Sequence, residues 1–102
     1  MIVYNGEDFK ELSKTKGLIL VDYFATWCGP CKMLMPVLED LAEEMTDVPF
    51  YKVDIDLFRN KAIEAQVQSV PTLVLYKDGV EVDRSLGYRP KAKLEAWVNS
   101  FK

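Results

Sequence analysis

Val21-Asp22-Tyr23-Phe24-Ala25-Thr26-Trp27-Cys28-Gly29-Pro30-Cys31-Lys32 decides how the rest of the chain is read. Apolar, strand-forming residues occupy positions 18–25, stop at Thr26-Trp27, and meet two cysteines separated by two residues where a helical pattern begins. The chain has no other cysteine. A thiol at a strand-to-helix junction is accessible and faces the unpaired N–H groups of the first helical turn, which favour thiolate over thiol. Bringing a thiol pKa from about 8.5 to near neutrality requires roughly 2 kcal/mol, whereas a helix dipole contributes roughly 0.3–1 kcal/mol. A second donor is therefore needed, and the S–H of Cys31, one turn further in, supplies it. On this reading Cys28, open to solvent beside Trp27, attacks and Cys31 resolves.

Upstream of the cysteines, Leu18, Leu20 and Phe24 alternate with Ile19, Val21, Tyr23 and Ala25, so both faces of the strand are apolar. Such a strand sits in the middle of a sheet covered by helices. Asp22 falls inside it with no obvious route to solvent. In an arbitrary protein a buried aspartate reads as a hydrogen-bonded structural residue. Here it precedes a dithiol by six residues. Desolvation raises the pKa of a buried carboxyl until it exchanges a proton near neutral pH, which is what a resolving thiol requires.

Downstream, Leu34, Val37, Leu38, Leu41, Ala42 and Met45 recur at helical spacing, with Glu39, Asp40, Glu43 and Glu44 facing out. Pro30 suits the first turn, where N–H groups lack partners, and Pro36 in the interior is expected to kink the helix. Before the central strand, Met1-Ile2-Val3-Tyr4 reads as an edge strand, and Asn5 as the N-cap of a modest helix that carries Phe9 and Leu12 inward and ends near Lys16-Gly17.

After the long helix, residues 48–54 form the next strand, on which Lys52 alone reads as an ordinary surface lysine. A weak helix over 59–67 carries Ala62, Ile63 and Val67 inward, and Leu57 and Phe58 before it are less polar than a loop calls for. Val70-Pro71-Thr72 opens a strand over 73–76. Lys77-Asp78-Gly79-Val80 is a tight hairpin signal returning an antiparallel strand over 80–86. Gly87 ends it, and a last helix places Leu94, Trp97, Val98 and Phe101 on one stripe, with Trp97 as a core anchor.

The order β-α-β-α-β-α-β-β-α predicts an α/β fold: a central mixed sheet, parallel up to its third strand and closed by an antiparallel hairpin, with helices on both faces. A chain of 102 residues is read as one domain over 1–102, with function built onto the fold itself. Hydrophobic residues at 49% and charged residues at 28% exclude disorder. A net charge of −3 argues against nucleic acid or an anionic membrane as partner. No basic leader or run of about 18 apolar residues is present, so a cytoplasmic address is expected. With no histidine and no third cysteine, no metal site is expected.

Trp27-Cys28-Gly29-Pro30-Cys31-Lys32, with Asp22 before it and Val70-Pro71-Thr72 after it, resembles the active-site pattern of the thioredoxin family, and the resemblance runs along nearly the whole chain. It implies the thioredoxin fold, a redox-active Cys28–Cys31 disulfide, a proton-transfer role for Asp22, and an electrostatic partnership of Asp22 with Lys52. A cis Pro71 is likewise implied, as is a docking surface of Trp27, Gly29, Pro30, Val70, Pro71 and Gly87. The implied activity is reduction of protein disulfides by a monomer with no bound cofactor, electrons arriving from a thioredoxin reductase, and Gly-Pro between the cysteines implies a low reduction potential. Two departures stand out: Phe24 where many members have a second tryptophan, and Tyr88 where a small residue is common. The rival readings are a disulfide isomerase or oxidase, and a non-catalytic binding subunit that lends only its apolar rim.

Overall fold

Two-sided apolar character places the strand before the cysteines at the centre of a sheet, and a computed structural model, describing residues 1–9, 11, 12 and 17–102, shows what surrounds it. The strands are β1 (Ile2–Val3), β2 (Leu18–Phe24), β3 (Phe50–Asp54), β4 (Thr72–Lys77) and β5 (Val80–Leu86), in the spatial order β1-β3-β2-β4-β5. β3 runs parallel to both β1 and β2; β4 is antiparallel to β2, and β5 to β4. The helices with described bounds are α1 (Gly29–Glu44), α2 (Arg59–Glu64) and α3 (Lys91–Asn99). The crossover through α1 keeps β3 parallel to β2, while the two-residue turn Asp78-Gly79 forces the hairpin between β4 and β5. Both turn residues adopt left-handed backbone, φ 53° and 86°, the geometry whose twist matches a hairpin.

The alternation in β2 sorts the core into two layers. Leu18 and Leu20 pack with Phe50, Leu73 and Leu75 under Leu34, Leu38 and Leu41 of α1 and Leu94 and Val98 of α3. Ile19, Val21 and Tyr23 pack on the opposite face with Tyr4, Phe9, Tyr51, Val53 and Val74. α1 runs without interruption through Pro36, which faces solvent where the missing N–H costs least. Trp97 is partly buried against the first layer and donates its indole N–H to Asp83 Oδ2 at 2.9 Å, so it joins the core by one edge.

Several boundaries differ from expectation. The third strand begins at Phe50, after Pro49, rather than at position 48. Helical backbone near the N-terminus starts at Phe9 rather than after Asn5, because Gly6 turns the chain through φ 97° and the Asn5 N–H goes to the Glu7 carboxylate. The expected end of that helix, near Lys16, lies outside the described residues.

Ile63 was expected to point inward and is exposed instead. α2 is too short to bury two adjacent positions, and Ala62 takes the inward one. The helix stops at Glu64 in a Schellman arrangement: Val67 N–H donates to Ala62 O and Gln66 N–H to Ile63 O, both at 3.0 Å, with Gln66 at φ 56°. Glutamine in place of the usual glycine hides that stop from sequence.

Arg84 on β5 secures this end. Its Nη2 donates to Ala65 O at 2.9 Å and to Glu81 at 2.7 Å, and its Nη1 reaches Gln66 O at 3.4 Å. Arg84→Met should lower stability by about 1–2 kcal/mol, since charge-assisted bonds to helix-terminal carbonyls are lost and their acceptors are left partly covered. Urea midpoints measure this; an unchanged midpoint would mean that α2 is held by packing alone.

Candidate active site

β2 ends at Phe24 and the chain turns through Ala25–Cys28, with the Cys28 N–H donating to Ala25 O at 3.3 Å. Cys28 then becomes the N-cap of α1, in extended backbone at φ −90° and ψ 115°. Its carbonyl accepts from Lys32 N–H at 3.2 Å, and its Sγ accepts from Cys31 N–H at 3.2 Å. Caps are ordinarily oxygen-bearing side chains; here a sulfur does the same job. A donor aimed at that sulfur stabilises charge on it, and the first turn of α1 contains no acidic side chain to oppose the helix field.

Cys28 and Cys31 are joined as a disulfide with Cα atoms 5.2 Å apart. The residues are 5% and 2% exposed, so Cys28 is not open to solvent as the sequence suggested. The segment before β4 closes over it. Val70 O lies 3.6 Å from Cys28 Sγ, the Val70–Pro71 peptide bond is cis, and Val70 packs against the pair together with Ala25, Phe24 and Ile55. Thr72 Oγ1 donates to Ser69 O at 2.6 Å, and Gly87 N–H to Pro71 O at 2.9 Å. Gly87 reaches that carbonyl in left-handed backbone, φ 79°, which glycine tolerates.

On the other side stands Trp27, 68% exposed, its indole N–H donating to Asp56 Oδ2 at 3.0 Å. Asp56 is held in turn: its N–H donates to Asp54 Oδ1 at 2.9 Å. Sequence reasoning missed Asp54 and Asp56. An aspartate two residues before another is a turn signal, but nothing local says which distant indole the second one meets.

Beneath the cysteines, Asp22 is 1% exposed. Its strand position puts it on the face of Leu18, Leu20 and Phe24, the face that α1 covers. α1 returns antiparallel over β2, so the C-terminal end of the strand, with Asp22, lies under the first turns of the helix, with Cys31. Burial pushes the Asp22 carboxyl up to about 7, the Lys52 ammonium acting in the opposite direction. Lys52 sits directly across the parallel β2–β3 ladder from Asp22, so the two side chains leave the same face. Asp22 Oδ1 meets no hydrogen-bond donor among the described residues. Phe24, next on that face, packs against the sulfur pair.

The arrangement is thus a dithiol in disulfide form, a stabilising N–H on the outer sulfur and a high-pKa carboxyl behind the inner one. Gly29 and Pro30 form the exposed bridge between the cysteines.

The Thioredoxin family model matches residues 1–100. The chain is 52% identical over 92 residues to the thioredoxin of Chlamydia trachomatis serovar D, covering 90% of this chain and 89% of the relative. It is 45% identical over 86 residues to the thioredoxin of Bacillus subtilis, covering 83% of each. Among solved structures, Fasciola hepatica thioredoxin superposes with a TM-score of 0.91 at 40% identity, over 100% of both chains.

Proposed function

The chain belongs to the thioredoxin family and reduces protein disulfides by dithiol–disulfide exchange, and from that premise we propose how its residues divide the work. Cys28 thiolate attacks one sulfur of a client disulfide; that S–S bond breaks, and the second client sulfur leaves as a thiolate that takes a proton from solvent. Asp22, ionised at that moment, accepts the Cys31 proton. Cys31 thiolate then attacks Cys28 Sγ, the mixed disulfide breaks, and the client departs with two thiols while Cys28–Cys31 closes. Two electrons pass from this chain to the client. Lys52 acts at a distance, keeping the Asp22 anion accessible near neutral pH against the cost of burial.

The observation that carries this assignment is the Cys31 N–H on Cys28 Sγ at 3.2 Å. It makes the outer sulfur the better anion and leaves the inner one dependent on a base. Docking falls to Trp27, Gly29, Pro30, Val70, Pro71 and Gly87, which frame Cys28, with the Val70 main chain pairing with an extended client segment. The protein works as a monomer in the cytoplasm with no bound cofactor, and away from nucleic acid and membrane. A flavin-dependent thioredoxin reductase restores the dithiol.

A coupled assay tests the reading. With NADPH, a bacterial thioredoxin reductase and insulin, catalytic amounts of this protein should sustain NADPH oxidation and precipitate the freed insulin chains. Oxidation no faster than with reductase alone would exclude that electron route.

A further inference from the structure

Leu57 is 75% exposed and Tyr88 is 44% exposed, both large apolar side chains left at the surface. Single exposed apolar side chains need no explanation. These two are placed by the sheet. β3 and β5 run in the same direction as β2, and β4 runs against them. The ends of β2, β3 and β5 and the start of β4 therefore meet at one edge, which is where Cys28 sits. In the order β3-β2-β4-β5, Leu57 follows the end of β3 and Tyr88 the end of β5. They bracket Cys28 from opposite sides.

Leu57 makes, and Tyr88 directly follows, a main-chain bond that also shapes the site. The Leu57 N–H lies on Asp54 Oδ1 at 3.4 Å, the same oxygen that holds Asp56, and Asp56 fixes the Trp27 indole. Tyr88 follows Gly87, whose N–H is tied to Pro71 O. Phe58, by contrast, is used internally, its ring edge-on to Tyr4 at 4.8 Å. The loop turns Phe58 inward and leaves Leu57 out, beside the exposed Trp27.

We infer that Leu57 and Tyr88 are specificity-determining residues for disulfide reduction, seating apolar side chains on either side of the client cysteine that Cys28 attacks. The occupant is an extended client segment. It rests on the reading that Cys28 is the attacking sulfur, since the surface is continuous with Trp27 and the Val70–Pro71 wall on both sides of that atom. Three strand spacings separate β3 from β5, about 14 Å, which about four residues of extended chain span. The apolar contacts thus fall about two residues before and two residues after the client cysteine.

Synthetic peptides test this, each with one cysteine in mixed disulfide with thionitrobenzoate. Attack on the peptide sulfur releases the chromophore, and Cys31 then frees the peptide. One peptide has leucine two residues before and after the cysteine; the other has serine at both positions. The parent protein, reduced beforehand, should release the chromophore from the leucine peptide with a second-order rate constant about tenfold higher, the scale of one well-placed apolar contact or two partial ones. Leu57→Gln and Tyr88→Ala should each reduce the preference about threefold, and the double variant should abolish it. Rates with the small disulfide 5,5′-dithiobis(2-nitrobenzoate) should stay within about twofold, since that reagent reaches Cys28 without the rim. A preference that survives in the double variant overturns the inference, and so does an equal fall with the small disulfide, which would place the effect on the thiols. Failure of the parent with both kinds of disulfide would instead refute the dithiol assignment itself.

Discussion

Cys31→Ser is expected to abolish turnover with protein disulfides, by about three orders of magnitude or more, while leaving covalent capture of clients intact. Cys28 keeps its helix N-terminus and its donor, because the 3.2 Å bond comes from the main chain of residue 31 and survives the substitution. The attack therefore still occurs. With no thiolate behind it, the mixed disulfide has no internal route to release, and client adducts accumulate. Cys28→Ser should lose turnover as fully and capture almost nothing, because the Cys31 sulfur has no such donor among the described residues. The two cysteines are nearly alike in exposure, so ionisation rather than access must separate them. Limiting iodoacetamide at neutral pH should accordingly label Cys28 first in the reduced protein. Non-reducing gels of each variant with a protein disulfide, and peptide mapping of the labelled parent, decide the matter: equal trapping and equal labelling would mean the attacker and resolver are misassigned.

Asp22→Asn is expected to stabilise the oxidised protein above neutral pH and to slow its catalytic cycle. The Asp22 pKa rises from 3.8 to about 7 on folding. Between those values the unfolded chain has released a proton that the folded chain retains, so each step up in pH favours unfolding. The penalty is absent near pH 4, grows through the window and is complete above about pH 7, where it reaches about 4 kcal/mol. Asparagine never ionises, but its amide still has to be buried, so the net gain should be about 2–3 kcal/mol at pH 8 and vanish near pH 4. The same substitution removes the acceptor for the Cys31 proton and should slow release of the mixed disulfide by about 10- to 100-fold at pH 7. Urea midpoints at pH 4, 6 and 8, with single-turnover release kinetics, read both effects. A variant less stable than the parent at pH 8 would show that Asp22 serves as a structural hydrogen-bonding residue.

Lys52 illustrates how far local pattern carries. On its strand it is one more half-exposed lysine, and only the parallel register that sets it opposite Asp22 gives it an electrostatic partner. Leu57 and Phe58 are adjacent apolar residues in one loop, indistinguishable in type, yet one is spent on Tyr4 and the other faces solvent beside Trp27. Ile63 carries a helical periodicity that a longer helix would bury; the left-handed backbone at Gln66 ends α2 first.

By itself the sequence determined the two-sided central strand, the amphipathic helix behind the cysteines, the Asp78-Gly79 hairpin and the reactive pair at a strand-to-helix junction. Each of these follows from interactions between residues close along the chain: side-chain alternation, helical period, turn conformations and the free N–H groups of a first turn. The tertiary structure alone decided that Val70 shields Cys28 and that Asp56 holds Trp27. It also decided that Gly87 ties its wall to Pro71 and that Asp22 is buried deeply enough to hold its proton to about pH 7. Those outcomes depend on which distant backbone carbonyl, carboxylate or apolar face arrives at a given atom, and on how much water it displaces. Sheet order and register set both, and no short stretch of sequence specifies them.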